Sequence, residues 1–200
     1  MKSSLIDRFF REFDRELGRP AEIILTGAAA GALLGNVRPS FDVDFEIRLA
    51  GRSGKKADLA QAVQNVSQKT GIAVNYSEDI GHWSMIDYLD YRRAALPYKK
   101  IGRLTVKIMS PEHWTIGKMA RYLESDAKDI SKIIKKRKLK PDPLIRLWAK
   151  AMASSVLSLA SGQFRDHVLH FLRSYGRNLW GRNFDSAKAI TLFKRSAGVK

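Results

Sequence analysis

The chain has 200 residues, 44% of them hydrophobic, enough to bury a core as one domain or as a domain with an appended helical piece. It contains no cysteine, which excludes disulfides, thiolate metal sites and cysteine nucleophiles, so any metal must be held by oxygen or imidazole. A formal charge of +16 makes polyanions the expected partners, nucleic acid first, in competition with a merely solubilising basic surface.

The opening MKSSLIDRFFREFDREL is amphipathic with mixed charge and reads as a helix rather than a signal sequence. Its apolar stripe is Leu5, Phe9, Phe13 and Leu17, with Ile6 and Phe10 beside it, and Gly18 and Pro20 end it. Glu22 to Thr26 is a short apolar strand, Gly27 a turn, and Ala28 to Leu34 a short helix stopping at Gly35. Phe41 to Leu49 alternates Phe, Val, Phe and Ile with Asp42, Asp44 and Glu46, which predicts a strand with one apolar and one acidic face.

After a Gly/Ser/Lys loop at 51–56, residues 57–70 place Leu59, Val63 and Val66 at helical spacing, and Ile72 to Tyr76 reads as a strand. A strand is expected at Met85 to Leu89, then a basic irregular stretch around Tyr91, Arg92 and Arg93, then a strand from Arg103 to Met109. Ser110 and Pro111 have the chemistry of an N-cap followed by a first helical position. Helices are expected at 111–124, 126–138, 142–160, 162–176 and 185–195, with KKRKLKPDP as a linker.

The predicted fold class is α+β: a small mixed sheet flanked by helices, followed by a C-terminal helical region, with domains at 1–134 and 135–200. From Lys135 onward 15 Lys and Arg face only Asp142, Asp166 and Asp185, a net +12 of the +16. The basic helical region is therefore the expected nucleic-acid surface, with RNA favoured. No apolar run reaches the about 20 residues needed to cross a bilayer, so no membrane span and a cytoplasmic location are expected.

A strand, a glycine turn, a helix and a second strand bearing Asp-x-Asp together suit phosphate chemistry. Gly27 permits a tight turn and close approach of a phosphate to the backbone, and the free N–H groups opening the next helix attract anions. Asp42 and Asp44, on one face, suit one or two Mg²⁺ ions about 3.5 to 4 Å apart, a geometry that stabilises in-line displacement at phosphorus. On its own, an Asp-x-Asp strand more often marks only a solvated face.

In order and spacing, Gly27-Ala28 and Asp42-Val43-Asp44-Phe45 resemble the signature of the nucleotidyltransferase superfamily with the DNA polymerase beta type fold. Residues 101–134, IGRLTVKIMSPEHWTIGKMARYLESDAKDISKII, resemble the strand-Pro-helix segment of minimal nucleotidyltransferases related to abortive-infection type IV toxins and their uncharacterised relatives. The resemblance spans residues 22–134. It implies a Mg²⁺-dependent transfer of a nucleoside monophosphate from an NTP to a hydroxyl of an RNA or protein acceptor, and a toxin-like role. Asp42 and Asp44 would then be catalytic and metal-binding. Gly27, Ala28, Lys118 and Arg121 would bind the nucleotide, and Asp129 would orient a cation, join the metal site or pair with Lys132.

Two departures from the family pattern stand out. Ala28 replaces the usual Ser or Gly, so no hydroxyl is offered to phosphate there. The strand 103–109 offers Lys107 and no third carboxylate, which leaves Glu46, Asp87 and Asp90 as candidates, with Asp87 preferred. The alternative reading is a catalytically silent protein of the same fold that binds nucleic acid or a partner protein.

Among the scattered histidines, His167 and His170 at i and i+3 on a predicted helix lack the carboxylate a metal site would need. The aromatic residues of the basic tail, Trp148, Phe164, Phe171, Tyr175, Trp180, Phe184 and Phe193, read as the core of a small bundle before they read as base-stacking platforms.

Overall fold

The computed structural model describes residues 3–35, 42–50, 56–81 and 85–199. Phe41, expected to open a strand, and residues 51–55 of the expected loop lie outside them. The fold is α+β, a five-stranded mixed sheet with flanking helices and a C-terminal helical region. The chain divides into two compact units: Met1–Leu33, Val37–Ile80 and Arg92–Ser110 form the first, and Leu34–Asn36, Gly81–Tyr91 and Pro111–Lys200 the second.

In the first unit the elements are α1 (Ser3–Leu17), β1 (Ala21–Thr26), α2 (Gly27–Leu34, whose last residue is counted with the second unit), β2 (Asp42–Leu49), α3 (Lys56–Thr70), β3 (Ala73–Ser77), α4 (Tyr91–Ala94, whose first residue is counted with the second unit), β4 (Leu96–Ile101) and β5 (Leu104–Ile108). The sheet order is β3-β2-β1-β5-β4. The central β1 runs antiparallel to β2 and parallel to β5, β2 is parallel to β3, and β4 and β5 are antiparallel.

The alternation read in the sequence separates the two faces of the sheet. Ile23, Leu25, Val43, Phe45, Ile47, Leu104, Val106 and Ile108 share one face, and all are buried. Phe9, Phe10 and Phe13 of α1 are each 0% exposed, with rings 6.2, 5.6 and 5.9 Å from that of Phe45. Leu59, Val63 and Val66 bury the inner side of α3. Leu5, by contrast, is exposed, because the buried stripe of α1 runs through Ile6, Phe9, Phe10 and Phe13.

No strand forms at Met85 to Leu89. Met85, Leu89 and Asp90 have φ of 59°, 32° and 49°, in the left-handed region that breaks extended pairing, and the fourth strand lies instead at Leu96–Ile101. Two aspartates of α1 tie the resulting hairpin down. Asp7 accepts from the Tyr98 hydroxyl at 2.7 Å and pairs with Lys99, and Asp14 accepts the Arg103 N–H at 2.8 Å. Gly102, at φ +58° in the turn, leaves room for that Asp14 carboxylate, which would lie 2.0 Å from an added Cβ.

The second unit holds α5 (Pro111–Arg121), α6 (Glu124–Arg137), α7 (Pro141–Ser154), α8 (Leu159–Trp180) and α9 (Ser186–Ala197). In this unit α5 and α6 pack against α8 and share its core. The KKR of the expected linker is helical, and only residues 138–140 connect α6 to α7. Trp148, Phe164, Phe171 and Phe193 are fully buried, while Tyr175, Trp180 and Phe184 are half-buried. Most of the aromatic tail thus serves the bundle core. Among the described residues, no helix is long and apolar enough to cross a membrane.

Phe10→Ala destabilises the first unit by about 4 kcal/mol, while Phe10→Leu costs about a third as much, read as midpoints of urea unfolding followed by circular dichroism.

Candidate functional site

The polar face of the first unit's sheet carries the acidic row. Cross-strand register places Thr26 opposite Asp44 and Ile24 opposite Glu46 on one side of β2, and Ala73, Asn75 and Ser77 opposite Asp42, Asp44 and Glu46 on the other. Asp42 and Asp44 are half-buried, and Glu46 is 0% exposed.

The three carboxylates have different surroundings. Glu46 accepts Arg92 Nε at 2.6 Å, Arg92 Nη2 at 3.1 Å and the Ile80 N–H at 3.1 Å, so its charge is compensated within the core. Asp44 accepts Asn75 Nδ2 at 2.8 Å through Oδ1. Its Oδ2 lies against Gly27, where an added Cβ would be only 1.8 Å away, and Gly27 has φ +56°. Gly27 is therefore required twice, by its backbone conformation and by the carboxylate resting on its Cα.

The end of β1, the first turn of α2 and the Asp44 carboxylate thus meet at one point. Ala28 follows Gly27 in that first turn and adds only a methyl group to it. Lys107 of β5 sits opposite Ile24 but reaches 2.6 Å to Glu22, away from the Thr26 and Asp44 end of the strands. Two oxygen-donor side chains two residues apart on one strand face fit a hard cation that completes its shell with substrate and water oxygens. Among the described residues, no group of three His, Asp or Glu side chains forms a metal-binding cluster.

Asp87 belongs to the second unit and lies in the irregular segment rather than on a strand. Its Oδ1 accepts the Leu89 N–H at 2.9 Å and its own N–H donates to Ser155 Oγ at 2.9 Å, so the side chain closes a local turn. His113 Nε2 donates to the Leu89 carbonyl at 2.8 Å in the same segment. The neighbouring strands of β2 are β1 and β3, and their inward polar residues beside the Asp pair are Thr26 and Asn75 rather than a third acid.

Lys118, Arg121 and Asp129 also lie in the second unit, and the structure brings these three together with Asp126. Lys118 is buried and donates to Asp126 Oδ1 at 2.9 Å and Asp129 Oδ2 at 3.1 Å, with its ammonium 5.2 Å from the centre of the Trp114 ring. Arg121 grips Asp126 with two bonds of 2.7 Å. Asp126, 0% exposed, also accepts the Leu123 N–H at 3.2 Å and so caps the start of α6. Asp129 pairs with Lys118 rather than Lys132. Lys118 and Arg121, expected at phosphates, have their charge neutralised by these carboxylates.

Burial by itself would raise the Asp126 pKa, but hydrogen bonds from Arg121 and Lys118 outweigh it and hold the carboxyl at about 2. Asp126 and the partners of Glu46 and Asp44 were not singled out in the sequence. The matching i,i+3 spacings of Lys118/Arg121 and Asp126/Asp129 were the available signal for the first. Arg92 and Asn75 had none, since only strand register and chain return bring them to the acidic row. Of the histidines, His167 donates Nδ1–H to the Met119 carbonyl at 2.9 Å and His170 shares a 2.8 Å hydrogen bond with Tyr122, an arrangement of bundle packing.

Comparison with known proteins gives no match: no family model, no curated protein and no solved structure is significantly similar to this chain.

The folded pKa of Asp126 lies below the unfolded value of 3.8, so its contribution is fully present above that value and is lost as pH falls toward about 2. Asp126→Asn lowers the thermal midpoint at neutral pH, at a cost of about 3 kcal/mol, and flattens the stability profile between those pH values. Gly27→Ala displaces the Asp44 carboxylate and strains the turn by about 1 kcal/mol or more, seen as a lower urea midpoint that Asp44→Ala, which removes the carboxylate, partly restores in the double variant.

Proposed function

We propose that the protein is a metal-dependent nucleotidyltransferase that moves a nucleoside monophosphate from an NTP to a hydroxyl of an RNA or protein acceptor, acting in the cytoplasm. The observation that carries this reading is the contact of the Asp44 carboxylate with Gly27. It sets a carboxylate pair beside the opening turn of a helix, where backbone amides favour phosphate oxygens.

In this reading the main chain of Gly27 and Ala28 holds the triphosphate. Because Ala28 has no hydroxyl, the backbone alone supplies those contacts. Asp42 and Asp44 offer the oxygen donors for Mg²⁺, and Asn75 fixes the orientation of Asp44 through its 2.8 Å bond. Mg²⁺, when bound, supplies charge neutralisation on the phosphates and orients the attacking and leaving oxygens in line. The acceptor oxygen forms a bond to the α-phosphorus, its proton passes to a carboxylate of the pair, and the bond to pyrophosphate breaks. Lys107, held by Glu22, leaves the Asp44 end of the face to substrate.

A second reading, a silent protein of this fold that binds nucleic acid or a partner protein, draws support from Glu46. The third acid of the row is already neutralised by Arg92. Labelled NTPs with Mg²⁺ and total RNA or protein separate the two readings. Label enters an acceptor with wild type, and Asp42→Ala and Asp44→Ala each reduce it on the order of a thousandfold. If wild type labels nothing above background and binds no NTP, the enzyme reading fails.

A further inference from the structure

We infer that the groove between α6 and α8 of the second unit is a binding site for single-stranded nucleic acid, with Lys128, Lys132 and Lys135 on the phosphates and Tyr175 under a base. This inference rests on the proposed function only in naming the acceptor's docking site. The groove has a volume of 230 Å³ and is lined by Lys128, Ser131, Lys132, Lys135, Tyr175, Asn178 and Leu179.

Its chemistry divides by helix. The three lysines occupy positions i, i+4 and i+7 of α6, one face of a helix, and span about 10 Å along its axis. All three are exposed. Lys128 pairs with the exposed Glu124 at 2.6 Å, and Lys135 donates to Asn178 Oδ1 at 2.8 Å across the groove. Lys132 forms no ion pair among the described residues. On the opposite wall, Tyr175 is half-buried, its ring stacked 5.1 Å from that of the fully buried Phe171, which braces it from behind.

A line of ammonium groups beside a braced aromatic ring is the combination that single strands use: cations follow the backbone, and the ring accepts any unpaired base. A wholly charged protein partner would have no use for the ring. A duplex keeps its bases stacked inside and could not reach it. The Asn178 amide and the Ser131 hydroxyl add polar atoms within reach of sugar oxygens.

The experiment measures fluorescence anisotropy of the full chain with labelled single-stranded RNA and DNA of about 12 nucleotides, without NTP or Mg²⁺, across a salt series. Lys132→Ala with Lys135→Ala weakens binding on the order of tenfold and reduces the slope of log affinity against log salt by about 1.4. Tyr175→Ala weakens it roughly five- to a hundredfold, while Tyr175→Phe binds as wild type. Arg146→Ala with Lys150→Ala, exposed cations of α7 outside the groove, removes the same charge and changes affinity little. Lys132→Glu, an exposed substitution that leaves the Phe171–Tyr175 packing intact, supplies the loss if Tyr175→Ala proves unfolded by circular dichroism.

Binding to either strand type with this pattern supports the site, and the stronger arm identifies its natural ligand class. Equal losses from the α7 pair, equal affinity for duplex, or displacement by polyglutamate at matched charge overturns it. Asp42→Ala/Asp44→Ala binds as wild type. Groove binding without any nucleotide transfer therefore sinks only the enzyme reading, and transfer that persists with groove variants binding as wild type sinks only this one.

Discussion

The close contact between the Asp44 carboxylate and the Cα of Gly27 is the constraint on which the polar face of the first unit depends. With Thr26 opposite Asp44 in the β1–β2 ladder, the residue that follows β1, Gly27, must pass under that side chain. Only a residue without Cβ passes, and its positive φ turns the chain directly from strand into α2. Helix start and carboxylate are thereby fixed to each other by backbone geometry rather than by flexible side chains. The arrangement is favourable in itself, because the N-terminal end of a helix carries a partial positive charge of about half a unit.

Burial of the neighbouring acids follows a second rule, that a carboxylate leaves water only with its full set of donors. Glu46 meets a guanidinium and a backbone N–H. Asp126 meets two cations and the N–H of Leu123, the residue before α6, and all the lone-pair positions of its two oxygens are used. Each pairing fixes more than charge: Arg92 brings α4 to the acidic strand, and Arg121 and Lys118 lock α5 to the start of α6. A buried pair broken on one side strands its partner, so these contacts act as geometric determinants as well as stabilising ones.

The same rule sorts the large excess of cations. Those that lie inside are matched by acids, as Lys118 is, and the surplus is left at the surface of the helical unit. There it lies beside aromatic residues that the core only partly covers, Tyr175 foremost. The two units therefore differ in polar character. The first carries half-buried carboxylates beside the start of α2, and the second presents ammonium groups next to a ring.

Much of the fold was legible because period is a local property. The alternation at 41–49 and the heptad-like stripe of α1 specify which face turns inward whatever the partner. Glycine at 27 and the alternate aspartates likewise announced the strand-turn-helix-strand arrangement. What the sequence could not determine was which residues meet across long loops. Arg92 reaches Glu46 from 46 positions away, and Asn75 reaches Asp44 from 31. The chain turn at 85–90 rests on left-handed residues no pattern signals, so a strand expected there lies at Leu96–Ile101. The sequence by itself determined the faces and the identities of the charged groups. Tertiary structure alone decided which charges neutralise one another, since pairing depends on distance in space while periodicity depends only on distance along the chain.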